Sequence, residues 1–213
     1  QKWRLFPYTT LFRSLGSDMV LRGKSVYRPT GLFAKAYREK AEGLSEQILL
    51  ENLEKGKGNI KISEVQHENI KELGEDLQES YSFELQQGVD VINEKIYIKP
   101  FVFTGLSENP FKADERHYPI FFEFPMLSKK TVNILIPEDY EVESLPESVI
   151  TQINGGEGEF KFLANQSGRY LRFEAEFGLK NIVFLPEQYN ALKEFYAQMV
   201  EKQTETLVLR KII

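Results

Sequence analysis

Tyr170-Leu171-Arg172-Phe173-Glu174-Ala175-Glu176-Phe177 decides the fold. Phe173, Ala175 and Phe177, grouped here with Tyr170, interleave with Arg172, Glu174 and Glu176. That is the period of a strand with one face in a core and the other in water. A slip of one residue turns three charges inward, so the register is strongly specified.

Strands of the same kind extend upstream. Phe160 and Phe162 face a core, between turns expected at Asn165–Gly168 and at Asn154-Gly155-Gly156, a hairpin signal. Val149–Ile153 leads into that hairpin. Tyr140-Glu141-Val142-Glu143 opens a strand closed by Leu145-Pro146, and Val132, Ile134 and Ile136 face one way. Downstream, Pro186 sits at a first helical position with Glu187 near the positive end of the dipole. Tyr189, Leu192, Tyr196, Met199 and Val200 form the stripe of that helix, and Leu207-Val208-Leu209 is a closing strand.

The first half is more mixed. Met19–Tyr27 predicts a strand entering a turn at Arg28-Pro29-Thr30-Gly31. Phe33, Tyr37, Ala41, Leu44 and Ile48 recur at helical spacing, with Gly43 splitting the segment and Gly56-Lys57-Gly58 ending it. Lys35, Arg38, Glu39, Glu46 and Glu54 read as its solvated face. Ile60, Ile62 and Val65 suggest a strand, Glu68–Asp76 a loop, and Tyr81, Phe83 and Leu85 a half-buried strand. Val89–Phe103 carries Ile96 and Ile98 at strand spacing, with Pro100 at its end.

Between the halves lies Asn109-Pro110-Phe111-Lys112-Ala113-Asp114-Glu115-Arg116-His117-Tyr118-Pro119. Asn109 and Tyr118 each precede a proline and are pushed toward extended geometry. Phe111 and Tyr118 anchor a charged turn feeding a strand at Ile120–Phe124. Arg116 is suited to a fork onto a carboxylate or to capping carbonyls. Asn109, Pro110, Phe111, Arg116, Tyr118 and Pro119 are therefore the candidate structural joint and docking surface.

The chain has 213 residues, 41% hydrophobic, with 16 Phe and 10 Tyr, enough for a substantial core. Its formal charge is −5. The first fourteen residues hold Lys2, Arg4 and Arg13 and no acid, leaving the rest at −8. That balance opposes a nucleic-acid footprint, and no apolar run approaches membrane-spanning length. Cysteine is absent, which removes disulfides, thiolate metal sites and a cysteine nucleophile. His67 and His117 have no second histidine at metal-ligand spacing and read as surface or hydrogen-bonded residues. Gly-x-Ser-x-Gly is missing, and Gly155-Gly156-Glu157-Gly158 lacks the lysine of a phosphate loop. The expectation is no catalytic residue, no cofactor and no metal.

Leu5–Ser14 resembles the translation of a common short-read sequencing adapter, so residues 1–14 are expected to be a non-native leader on a metagenomic fragment. It does not read as a signal peptide.

Several pieces, in order, resemble the C-terminal domain of unknown function that follows the transglutaminase-like core of bacterial envelope proteins. They are Asn109-Pro110-Phe111-Lys112, Arg116 with Tyr118-Pro119-Ile120, and Ile136-Pro137 with Tyr140–Glu143 and Leu145-Pro146. Pro186-Glu187-Gln188-Tyr189 with Leu192–Tyr196, and Val208–Lys211, complete them. The resemblance divides the chain into 15–89, a helix-plus-strands link to an upstream core, and 90–213, the domain itself. It implies a periplasmic or envelope location and a core built like papain-type Cys-His-Asp enzymes, no part of whose triad maps onto this chain.

The fold expected is mainly β, an antiparallel β-sandwich with two packed helical segments. The function expected is a non-catalytic accessory domain whose partner is the transglutaminase-like core of the same parent chain. The alternative is a glycan- or peptide-binding sandwich using exposed aromatics.

Overall fold

The computed structural model describes residues 7–16, 18–86 and 88–212. Strands β1 (Tyr8–Leu15) and β2 (Leu21–Arg28) form a hairpin. Helices α1 (Gly31–Ala41) and α2 (Glu46–Glu54) follow, then β3 (Ile60–Glu68) and β4 (Gln78–Leu85). Next come β5 (Val89–Ile92), β6 (Lys95–Ile98) and, after the joint, β7 (Ile120–Phe121). The second half holds β8 (Met126–Leu135), β9 (Tyr140–Ser144), β10 (Val149–Ile153), β11 (Gly158–Ser167), β12 (Tyr170–Leu179) and β13 (Val183–Phe184). A 3₁₀ turn at Pro186–Gln188 enters α3 (Tyr189–Thr204), and β14 (Leu207–Lys211) closes the chain.

The fold is mainly β with packed helices, as the alternation predicts. An eight-stranded sheet runs β10-β11-β12-β8-β1-β2-β4-β3, and a four-stranded sheet runs β5-β6-β14-β9. A short ribbon pairs β13 with β7. One contiguous core joins the inner face of the large sheet (Leu11, Phe83, Val132, Phe162, Phe173) to Ile96, Ile98 and Leu209 of the small sheet and Leu192, Tyr196 and Met199 of α3. Both 15–89 and 90–213 contribute strands to the large sheet. Among the described residues all strand pairs are antiparallel except β1 with β8, which run parallel.

Local rules explain most boundaries. Gly43 takes φ +74 between α1 and α2, so the helical run breaks where glycine alone is comfortable. Ser45 then caps α2 by accepting from the Ile48 N–H. Asn154, Gly155 and Gly156 all have positive φ in the four-residue loop between Ile153 and Gly158, a conformation that glycine and asparagine adopt most readily. In β12, Leu171, Phe173 and Ala175 are buried.

Several expectations are corrected. Tyr170 is 66% exposed, because it shares the even parity of Arg172 and Glu174 and faces water with them. Val89–Phe103 is not one strand: Asn93 and Glu94, at φ 50 and 62, fold it into the β5–β6 hairpin. The strand at Ile120–Phe124 shrinks to two residues. Pro125 offers no donor and restrains Phe124, whose ring turns edge-on to Phe33 of α1, 5.4 Å between centroids. The turn expected at Asn165–Gly168 tightens to Gly168-Arg169, because β11 pairs with β12 as far as Ser167.

The charged face of α1 is not wholly solvated. The Arg38 guanidinium donates to the carbonyls of Asn69, Ile70, Glu72 and Glu75 at 3.0–3.1 Å, tying down the loop before β4. Glu54 Oε1 accepts from the Ile62 N–H at 2.8 Å. Lys35 and Glu39 pair in the open at 3.6 Å, a contact of little energetic weight.

Residues 1–6 of the expected leader, with Trp3 among them, lie outside the described residues. From Tyr8 onward the stretch forms β1 at the middle of the large sheet. Leu11, Arg13 and Leu15 point inward while Phe12 and Ser14 point out. Among the described residues no helix is long and apolar enough to cross a membrane.

Candidate docking surface and buried polar cluster

The joint is built onto α3. Asn109 Oδ1 accepts from the Phe111 N–H at 2.9 Å, the local turn that Asn favours before proline. Its Nδ2 donates to the Lys193 carbonyl at 2.7 Å. Phe111 stands edge-on to Tyr196 and Tyr189, at 4.9 and 6.1 Å between centroids. Tyr189 Oη and Lys193 Nζ both donate to the Ala113 carbonyl, at 2.8 and 2.9 Å. Sequence reasoning named Phe111 and Tyr118 as the anchors and Asn109 as a residue held extended before proline; that Asn109 and Phe111 seat on α3 is visible only in three dimensions.

The rest of the candidate set divides. Pro110 is exposed and Pro119 half-buried. Arg116 is exposed and makes no side-chain bond among the described residues, so the expected fork is not formed. Tyr118 is not an inward anchor: it is 81% exposed. Nearby Phe121 on β7 is 72% exposed, opposite Val183, and Leu185 follows β13 with its side chain partly in water. The arrangement is a firmly seated loop carrying an unburied aromatic and basic tip.

Phe111→Ala is expected to destabilise the chain by about 2 kcal/mol, from lost burial and two edge-on ring contacts. Urea unfolding measures this, and amide exchange should quicken at residues 111–116. Unchanged exchange there would show that the joint holds its shape without α3.

A second feature was missed in the sequence. Tyr27, Glu79 and His67 are register partners across β2, β4 and β3, and form one row on the inner face. From above, Tyr37 of α1 donates its hydroxyl to Glu79 Oε2. His67 Nε2 lies 3.5 Å from the same oxygen. The Tyr37 ring packs 6.2 Å from Tyr27 and 6.1 Å from His67. Burial, with Glu79 adjacent, pushes the Tyr37 phenol well above its ordinary range, and burial raises Tyr27 as well. The signal was available: Glu79 has the parity of Tyr81, Phe83 and Leu85, which predicts it inward.

A cavity of about 370 Å³ opens beside this row between α1 and α2. Tyr37 and Glu79 form its polar end, with Ala41, Leu44, Leu49 and Leu53 among its walls. The cluster brings a phenol and an imidazole to one carboxylate, and His67 does not line the cavity. Its evident work is to fasten α1 to the sheet. His117, in contrast, is exposed on the joint. Among the described residues, no group of three or more His, Asp or Glu side chains is placed to hold a metal ion.

Fold and site together define a β-rich module with helices on it, a seated aromatic joint and a buried polar fastening. Residues 94–209 match the family described as a domain of unknown function with solved structure, DUF3858, and the chain belongs to that family. Among curated proteins none matches. A crystal structure from Parabacteroides distasonis, described as "a putative protease", is similar with TM-score 0.47 and 11% identity. The match covers 56% of this chain and 24% of that one, so the chain spans about a quarter of that protein's length.

Proposed function

We propose that the chain is a non-catalytic accessory module that docks on, and stabilises, a transglutaminase-like core of the same parent protein in the bacterial envelope. The observation that carries this reading is the tip of the joint. Asn109 and Phe111 fix its base, while Arg116, Tyr118 and Phe121 stand free. Aromatic and arginine side chains concentrate binding energy at interfaces, and a preorganised loop loses little entropy on binding. The resemblance of the joint and of the α3 sequence to the domain after such cores supplies the partner.

The test is to mix the purified chain with the separately produced core. Association in gel filtration and a higher melting temperature for the core are expected. Tyr118→Ala with Phe121→Ala should weaken the association at least tenfold while leaving the melting temperature of the module within about 2 °C, since exposed side chains add little to folding. No association with the wild-type chain would sink the reading.

A second reading has one observation of its own. A shallow depression of about 330 Å³ on the outer face of the large sheet is lined by exposed Phe12 and Tyr170, with Asn133 of β8 between them and Lys24 beyond Phe12 on β2. Such an aromatic floor suits a sugar ring or a peptide. Binding on a glycan array that is lost with Tyr170→Ala would favour it.

A further inference from the structure

The centre of the large sheet has one misfit. β1 bridges its two halves, antiparallel to β2 from Tyr8↔Arg28 to Leu15↔Leu21, and parallel to β8 from Tyr8↔Lys129 to Ser14↔Leu135. Among the described residues no other strand joins β2 to β8. Of its inward side chains Leu11 and Leu15 are apolar and buried, as the site requires.

Arg13 is the exception. It is 3% exposed, opposite Gly23 and Ile134. Its guanidinium lies 5.9 Å from the centroid of Phe83 and 5.0 Å from that of Phe103. Nη1 donates to the Pro100 carbonyl at 2.8 Å, while Nε and Nη2 are buried without a partner. No carboxylate pairs with it among the described residues. Desolvation pulls its pKa down to about 9. A charge enclosed by phenylalanines with two idle donors is costly, and native interiors rarely leave donors in that condition. The surroundings of residue 13 are thus largely apolar, and they offer the guanidinium one carbonyl and two ring faces but no second acceptor among the described residues.

We propose that the gap between β2 and β8 is an acceptor slot for an extended peptide strand whose inward residues are all apolar, and that Tyr8–Leu15 fills it imperfectly. Both flanks offer ladder hydrogen bonds to any sequence, and the inner face selects by the side chain at the position of Arg13. This does not rest on the docking tip, which lies on a separate ribbon.

Two measurements test it. Arg13→Leu in the full chain is expected to raise the melting temperature by about 5 °C, as replacing buried unpaired charge by apolar volume generally does. Next, the full chain is refolded from urea with a tenfold excess of fluorescent Tyr8–Leu15 peptide, with and without Arg13→Leu. The substituted peptide should be retained at least tenfold better. It should displace the chain's own β1 and open the Arg13 peptide bond to trypsin. Equal retention of the two peptides, retention of neither, or no gain in melting temperature would overturn the proposal.

Discussion

Phe162→Ala is expected to lower the unfolding free energy by about 3–5 kcal/mol, a large part of the roughly 5–15 kcal/mol that holds a domain folded. Phe162 is fully buried on β11, between Val149 and Ala175 in register. Its ring meets Phe173 at 6.5 Å within the sheet and Phe101, beyond β6, at 6.0 Å. Truncation therefore opens a cavity where the large sheet meets the segment leaving the small one, and neither side is free to collapse. Phe162→Leu keeps most of the volume and should cost about 1.5 kcal/mol or less. Urea unfolding reads both as shifts in midpoint at constant slope. A cost for alanine near that of leucine would mean that the two sheets do not share one core.

The second large effect is at Glu79. Glu79→Ala is expected to cost about 2–3 kcal/mol, because the half-buried Tyr37 hydroxyl then loses its acceptor and His67 Nε2, which has no hydrogen bond of its own, loses the carboxylate 3.5 Å away. Glu79→Gln keeps an acceptor and should cost less. Tyr37→Phe alone should cost about 1 kcal/mol, and the double variant Tyr37→Phe with Glu79→Ala should cost clearly less than the sum of the two. Additivity would show that α1 is held by other contacts.

The same pair sets an alkaline limit. The folded Tyr37 phenol keeps its proton above the ordinary value of 10.0. Its contribution is fully present below pH 10 and is lost as pH rises through the higher folded value, because the unfolded chain ionises first. Wild-type stability should therefore fall more steeply above pH 10 than that of Tyr37→Phe, and identical slopes would contradict the burial of this phenol.

The cluster was only half legible in the sequence. The parity of Glu79 with Tyr81, Phe83 and Leu85 marks it as inward, but nothing local says which side chains it meets. His67 is twelve residues away along the chain and Tyr37 forty-two, and the register of β3 against β4 shifts between Ser63 and Gln66, so a simple count from the turn misplaces His67. The joint shows the same division. Phe111 and Tyr118 both read as anchors from ring size, yet only Phe111 is seated, on α3, and Tyr118 stays in water because no element covers it.

By itself the sequence determined most of the strands and helices, though not β1, β13 or the split of β5 from β6. It also determined where Gly43 and Asn154-Gly155 break the chain, and that a large aromatic core exists. Those properties follow from side-chain period and backbone preference, which act within a few residues. Only the tertiary structure decided the strand order, the parallel entry of β1 beside β8, the seat of the joint on α3 and the meeting of Tyr37, His67 and Glu79. Ladder hydrogen bonds are the same for every residue but proline, so a strand's own residues do not name its neighbour. That choice is made by which apolar faces can be buried together across the whole chain.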